Sequence, residues 1–208
     1  MLTVHHLNES RSQRILWLLE ELGLPYEIKF YSRDATTRLA PPELKAVHPL
    51  GKSPVITDGD MTVIESGAII DYIIRRHADG RMAPNPSTPA FDHYQQWLHY
   101  AEGSAMLPLM LNMYVSRPGE GGAPLAPRIE SEIANHLSYV EQSLAGRDFL
   151  LGGEPTGADA QMSFIPEVAK AMGKLPSYPN MAAWIERIHA RPAWKRGLEK
   201  GGPYALGA

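Results

Sequence analysis

Residues 48–68 read HPLGKSPVITDGDMTVIESGA, and this stretch decides the fold. Pro49 and Gly51 forbid a continuing helix. Pro54 has no N–H to donate, so it belongs at the mouth of a strand or on an edge. The apolar pair Val55-Ile56 follows it. Asp58-Gly59 is a two-residue hairpin signal, and Thr62-Val63-Ile64 is the returning strand. Glu65 and Ser66 then precede an apolar periodic run, Gly67 to Ile74, which reads as a helix with Ser66 as its N-cap. A helix start carries free N–H groups and partial positive charge, and so can hold a carboxylate. A cis Ser53–Pro54 bond would turn the N–H and C=O of Val55 outward to pair with an extended peptide. Together these features describe a receptor for a small peptide with a free α-carboxylate.

The residues before this stretch complete a domain around it. Leu2–Leu7 alternates weakly and reads as a strand. Asn8 to Ser12 breaks it. Ile15, Leu18, Leu19 and Leu22 fall at helical spacing, and Gly23-Leu24-Pro25 stops that helix. Tyr26 to Tyr31 is a second strand, with Tyr26, Ile28 and Phe30 facing one way and Glu27 and Lys29 the other. Strand, helix, strand in so short a span implies a parallel pair. A polar loop, Ser32 to Ala40, and a short helix over Pro41 to Val47 lead into the hairpin.

Pro-Leu-Gly-Lys-Ser-Pro-Val-Ile at 49–56 and Ile-Glu-Ser-Gly-Ala-Ile at 64–69 together resemble the glutathione-binding half of the glutathione S-transferases. The resemblance implies an N-terminal thioredoxin-like βαβαββα domain over residues 1–78, a linker over 79–89 and an all-helical domain over 90–208. It implies that Ser53, Pro54 and Val55 pair with the cysteinyl backbone of glutathione, and that Glu65 and Ser66 take its γ-glutamyl end. Lys52 is expected to pair with a carboxylate of the same molecule. Members of the family place Tyr, Ser or Cys after the first strand to stabilise the thiolate. No tyrosine or cysteine occurs between Met1 and Tyr26, and the hydroxyls there are Thr3, Ser10 and Ser12. Ser10 is the expected catalytic donor. Ser12 and Asn8 are the other groups in that turn able to face the sulfur.

The second half of the chain is helical. Pro84, Pro86 and Pro89, with Gly80 and Asn85, mark the linker. Phe91 to Tyr114 is a long amphipathic run, interrupted at Gly103 and expected to kink at Pro108. Arg117 to Pro127 reads as a Gly/Pro-rich loop. Ile129, Ile133, Leu137, Val140 and Leu144 mark a further helix, and two more are expected at Pro179 to Ala190 and after Pro192. Thr156-Gly157-Ala158-Asp159 is close to a capping box, with Asp in place of the usual Glu. Its expected role is structural, and family members carry a similar box. Tyr100, Met106, Leu109, Met110 and Met113 form an adaptable apolar stripe that suits a second substrate, the core or a dimer interface.

Composition narrows the function. The chain has 208 residues, a formal charge of −3 and no cysteine. The charge gives no argument for nucleic acid or membrane binding. Without cysteine, thiol chemistry requires a thiol brought by a co-substrate. The histidines have no metal spacing, and no metal is expected. No apolar run is long enough to cross a bilayer, and the N-terminus lacks a signal pattern, so the cytoplasm is the expected location. The expected activity is attack of glutathione thiolate on a small, largely apolar electrophile, by a homodimer acting in detoxification. Glutathione-dependent disulfide or peroxide reduction, and non-catalytic glutathione binding, are the alternatives.

Overall fold

The computed structural model describes residues 1–116 and 123–207. The chain packs as two units, one of Met1–Asn85 with Ile188–Ala208 and one of Pro86–Arg187. In the first, β1 (Leu2–Leu7), α1 (Gln13–Leu22), β2 (Glu27–Tyr31), α2 (Glu43–Val47), β3 (Val55–Asp58), β4 (Met61–Ile64) and α3 (Ser66–His77) follow in the expected order. The sheet runs β2-β1-β3-β4, with β1 parallel to β2 and antiparallel to β3. This small mixed sheet with its helices is the thioredoxin-like arrangement.

Local chemistry explains each boundary. Gly23 ends α1 at φ 65°, a left-handed cap that leaves Leu24 N–H bonded to the Leu19 carbonyl. The hairpin loop is Gly59-Asp60, one residue later than the expected Asp58-Gly59, because Asp58 pairs with Met61 across the ladder. Gly59, at φ 57°, supplies the positive φ that such a loop needs. Phe30 is not on a buried face as the alternation implied. It is 59% exposed, while Tyr31 is buried with Leu7 and Leu44. β2 is an edge strand, and only its end is covered. The Ser53–Pro54 bond is cis, as expected.

Ser66 is not the N-cap of α3 but its first helical residue. Glu65 holds the cap position at φ 65° and ψ 117°, and its carbonyl accepts from Ile69 N–H at 2.8 Å. A glutamate in the positive-φ region is strained, and such strain concentrates at functional sites.

One helix of the first unit comes from the far end of the chain. α10 (Pro192–Gly201) lies against α1. A Cβ on Gly197 would stand 3.2 Å from Trp17 N, so glycine permits this close approach of the two backbones. Trp17 and Trp194 meet edge to face at 5.9 Å. Glu21 holds Arg191, and Glu20 holds Arg196 and Lys200. α1 is therefore covered on both sides, which is why Ile15 to Leu19 are all fully buried.

In the second unit, α4 (Pro89–Tyr100) passes through a π-helical turn, Ala101–Ala105, into α5 (Met106–Val115). The expected interruption at Gly103 is this π turn. Pro108 is the third residue of α5, directly after this turn, so the carbonyl four residues before it, that of Ser104, belongs to the π turn. Of the loop expected over 117–127, residues 117–122 lie outside the described residues. Ala123–Leu125 is a 3-10 turn, and α6 (Ala126–Ser143) begins directly after it. α6 buries Ile129, Ile133, Leu137 and Val140, the expected stripe. α7 (Gly157–Met162) opens on the capping box, and α8 (Phe164–Ala171) and α9 (Pro179–Ala190) follow. Among the described residues, no helix is long and apolar enough to cross a membrane.

Candidate functional site

Three pieces distant in sequence meet at the C-terminal end of β1. Leu7 joins two of them. Its N–H donates to Ser53 Oγ at 3.3 Å, and Ser53 Oγ donates to the His5 carbonyl at 3.0 Å. The Leu7 carbonyl accepts from Ser10 Oγ at 2.7 Å and lies 3.2 Å from Ser12 Oγ. The third piece arrives through Arg14, the second residue of α1. This buried guanidinium donates to Ser66 Oγ at 3.4 Å. It brings positive charge to a helix start that is already partly positive, a setting suited to a carboxylate.

The predicted residues take different stations around this junction. Pro54 and Val55 are buried where β3 begins, and Val55 pairs with both His5 and Ile64. Glu65 and Lys52 are exposed. Ser66 is buried. Gly51, beside Lys52, turns the chain at φ 57°, and a Cβ there would press on Lys45 Cγ at 2.8 Å.

The turn between β1 and α1 is held from several directions. Asn8 Oδ1 accepts from Arg33 N–H at 2.8 Å, and the Arg33 guanidinium donates to the carbonyls of Asn8, Glu9 and Arg38. Asn8 thus turns its carbonyl oxygen toward β2's trailing loop. Glu9 adopts φ 51°, and its carboxylate accepts from Ala205 N–H. Ser10 is 4% exposed, and its oxygen takes Ser12 N–H at 3.2 Å besides the bond to Leu7. Ser12 is fully buried. Ser10 Oγ and Ser12 Oγ are 2.7 Å apart, and Ser12 Oγ is 2.9 Å from His6 Nδ1. Burial holds the His6 imidazole below its ordinary pKa, against the opposing effect of a hydrogen bond to the Gly201 backbone.

Arg14 and His6 were not legible as site residues. A lone arginine after a serine-rich turn, and a histidine inside a strand, have ordinary surface or core explanations. Only their contacts single them out. The expected apolar stripe divides. Met106 and Leu109 are buried core, Met113 is half exposed, and Tyr100 bonds His136 Nδ1 at 2.7 Å.

Both halves of the chain match known proteins. Residues 1–75 match the family model described as "Glutathione S-transferase, N-terminal domain", and residues 103–192 match "Glutathione S-transferase, C-terminal domain". Glutathione S-transferase 3 of Schizosaccharomyces pombe is 34% identical, over 96% of this chain and 88% of its own. Glutathione S-transferase 1 of Saccharomyces cerevisiae is 32% identical, over 96% and 95%. A crystal structure of a glutathione S-transferase from Actinobacillus pleuropneumoniae is 36% identical, with a TM-score of 0.91 over 99% of this chain and 94% of its own. A family member from Pseudomonas fluorescens, solved with two glutathione molecules bound, is 26% identical, with a TM-score of 0.79 over 95% and 92%.

Proposed function

The chain belongs to the glutathione S-transferase family, and from that premise we propose how its own residues serve the reaction. The protein is a glutathione transferase, and glutathione is its co-substrate. The observation that carries the residue assignment is the meeting of three segments around Leu7 and Arg14.

Ser66 and Glu65 take the γ-glutamyl end. The carboxylate sits against the Ser66 hydroxyl and N–H with Arg14 behind it, and the exposed Glu65 carboxylate accepts from the ammonium. The segment Ser53-Pro54 meets the cysteinyl residue with the backbone ahead of β3, because Val55 itself is already paired in the ladder with His5 and Ile64. Lys52 meets the glycyl carboxylate. The thiol then lies at the turn after β1, where Ser10 donates to the sulfur anion. An unperturbed thiol titrates near 8.5, and the thiolate is the nucleophile, so each unit by which the site lowers that value contributes about 1.4 kcal/mol of preference for the reactive form. The partner is a small, largely apolar electrophile, and the protein works as a homodimer in the cytoplasm, in detoxification.

Reduction of disulfides or peroxides is the second reading. A cysteine-free chain needs two glutathiones or an external thiol for it, and the Pseudomonas fluorescens relative holds two glutathiones. The test is a panel of aryl halides, epoxides, isothiocyanates, hydroperoxides and mixed disulfides with glutathione, read by mass spectrometry. Thioether adducts support conjugation. Oxidised glutathione without adducts supports reduction. Glutathione binding with no turnover on any class overturns both.

A further inference from the structure

Three polar side chains run in a line from the turn after β1 into the interior of the first unit. Ser10 Oγ is 2.7 Å from Ser12 Oγ, and Ser12 Oγ is 2.9 Å from His6 Nδ1. The bond between His6 and the Gly201 backbone favours the protonated imidazole, so a ring N–H donates there to the carbonyl. Nδ1 faces Ser12, so that donor is Nε2. A neutral imidazole donates from one nitrogen and accepts at the other, hence Nδ1 accepts. Ser12 then gives its one hydrogen to His6 and shows Ser10 only lone pairs. The Ser10 hydrogen consequently points inward, to Ser12 Oγ or to the Leu7 carbonyl, each 2.7 Å away. In that state Ser10 has nothing to donate to a sulfur.

The same oxygens and nitrogens support the opposite direction. We propose that His6 is the acceptor for the thiol proton of bound glutathione, reached through the hydroxyls of Ser10 and Ser12. This rests on Ser10 being the residue that meets the thiol. The S–H bond breaks and its proton goes to Ser10 Oγ. The hydrogen Ser10 held passes to Ser12 Oγ, and the hydrogen Ser12 held passes to His6 Nδ1. The products are a thiolate and an imidazolium, with no proton gained or lost overall. Every hydrogen bond in the chain survives with its direction reversed, and Ser10 now donates to the anion.

The surroundings fit such a transfer. Ser12 is fully buried, and Ser10 and His6 are 4% and 3% exposed, so water does not compete along the path. Ser12 just ahead of α1, Phe30 on β2 and Gly201 on α10 stand around His6, with Gln13 against Gly201, and none of them carries a charge. Burial alone disfavours the imidazolium. The gap between a thiol near 8.5 and an imidazole below 6.5 is narrowed by the attraction of opposite charges in a site that excludes water. The imidazolium is thus populated only while a thiolate stands at the other end.

The test counts protons against thiolate. Glutathione is added to the protein in weakly buffered solution. Ultraviolet absorbance reads the thiolate formed, and an indicator dye reads the protons released. The wild type should form thiolate at neutral pH with close to no net release. Ser12→Ala cuts the path and His6→Asn removes the base. Either should release about one proton per thiolate and raise the pKa of the bound thiol by about one unit. Ser12→Ala, the smaller change, decides the matter if His6→Asn does not fold. A wild type that releases one proton per thiolate, or forms none at neutral pH, overturns the relay. If Ser10→Ala leaves the bound-thiol pKa unchanged, the Ser10 assignment falls and the relay with it. If Ser10→Ala raises that pKa while the wild type releases its proton, the relay alone falls.

Discussion

Two helix starts in this chain bury polar side chains equally well and to opposite effect. At α7, Asp159 is fully buried. Its Oδ2 accepts from Thr156 N–H at 2.8 Å and from the Thr156 hydroxyl at 3.0 Å, and its Oδ1 from Leu150 N–H at 2.9 Å and Trp184 Nε1 at 3.1 Å. A carboxylate only accepts, and amide and indole N–H groups only donate, so the hydrogens have one arrangement. At α1, Ser10, Ser12 and His6 can each donate or accept, and Ser12 Oγ has His6 Nδ1, Ser10 Oγ and the Leu7 carbonyl all within reach. The same heavy atoms then admit two arrangements of hydrogen. Burial fixes atoms at both places, but only the chemical identity of the partners decides whether protons are fixed too.

The largest effect expected from breaking this contrast is at the fixed end. Asp159→Ala leaves the N–H groups of Leu150 and Thr156 and the Trp184 indole without their acceptor, at roughly 1–3 kcal/mol for each buried orphan. A total of about 3–5 kcal/mol, or a fall in Tm of about 10 °C, should appear in thermal and denaturant unfolding. A loss under about 1 kcal/mol would mean that water or relaxation satisfies those groups, and that the box is no lock. Ser10→Ala, at the reversible end, should barely affect folding but slow turnover at neutral pH by up to about 10²-fold, with part of the rate returning as pH rises and the thiolate forms unaided. A uniform loss across pH would instead indicate misplacement of the turn.

Ser66→Ala tests the remaining helix start, which stands between the two. The Ser66 hydroxyl accepts from Arg14 and in the proposed complex donates to a carboxylate. Affinity for glutathione, measured by calorimetric titration, should fall by roughly 1.5–3 kcal/mol, with a smaller loss of stability, about 1 kcal/mol or less, from the lost Arg14 bond. Unchanged affinity would place the carboxylate elsewhere.

Much of this was legible in the sequence because it depends on local chemistry. Pro54, Gly59 and Gly23 restrict the backbone wherever they occur, and so they announced the hairpin and the end of α1. Thr156 and Asp159 declared their bonds because both partners lie within one helical turn. What remained hidden depends on tertiary approach. Phe30 obeys strand alternation, yet it is exposed because what covers β2 reaches only its last residue, Tyr31. Gly197 and Gly201 look like ordinary helix weakeners until α10 is seen against α1. His6 gains a role only when Ser12 and Gly201 arrive from two other elements. Glu65 was expected to bind the γ-glutamyl end from just ahead of a cap, but its positive φ is set by the junction of hairpin and helix rather than by its own preference.

The smallest expected effect concerns Glu20, a buried carboxylate like Asp159 but one whose cationic partners reach solvent. Its carboxylate accepts from Tyr26 OH at 2.8 Å and from Arg196 Nε at 2.8 Å, and Lys200 lies on it as well, so here too a carboxylate faces donors. Burial pushes the Glu20 carboxyl up, but the bonds from Lys200, Arg196 and Tyr26 outweigh it and hold the pKa below the ordinary value. A depressed folded-state pKa contributes stability that is present above the unfolded value, 4.5, and is lost as pH falls through the folded one. Lys200 and Arg196 are about half exposed, so solvent screens the pair, and Glu20→Gln should cost no more than about 1 kcal/mol at neutral pH. Wild type and variant should converge in denaturant unfolding as the medium is made acid. Convergence would show that charge holds α10 to α1 at this point and that the arrangement, unlike Asp159, is open to water. A cost that stays constant with pH would assign the attachment of α10 to packing of Trp194 and the two glycines instead.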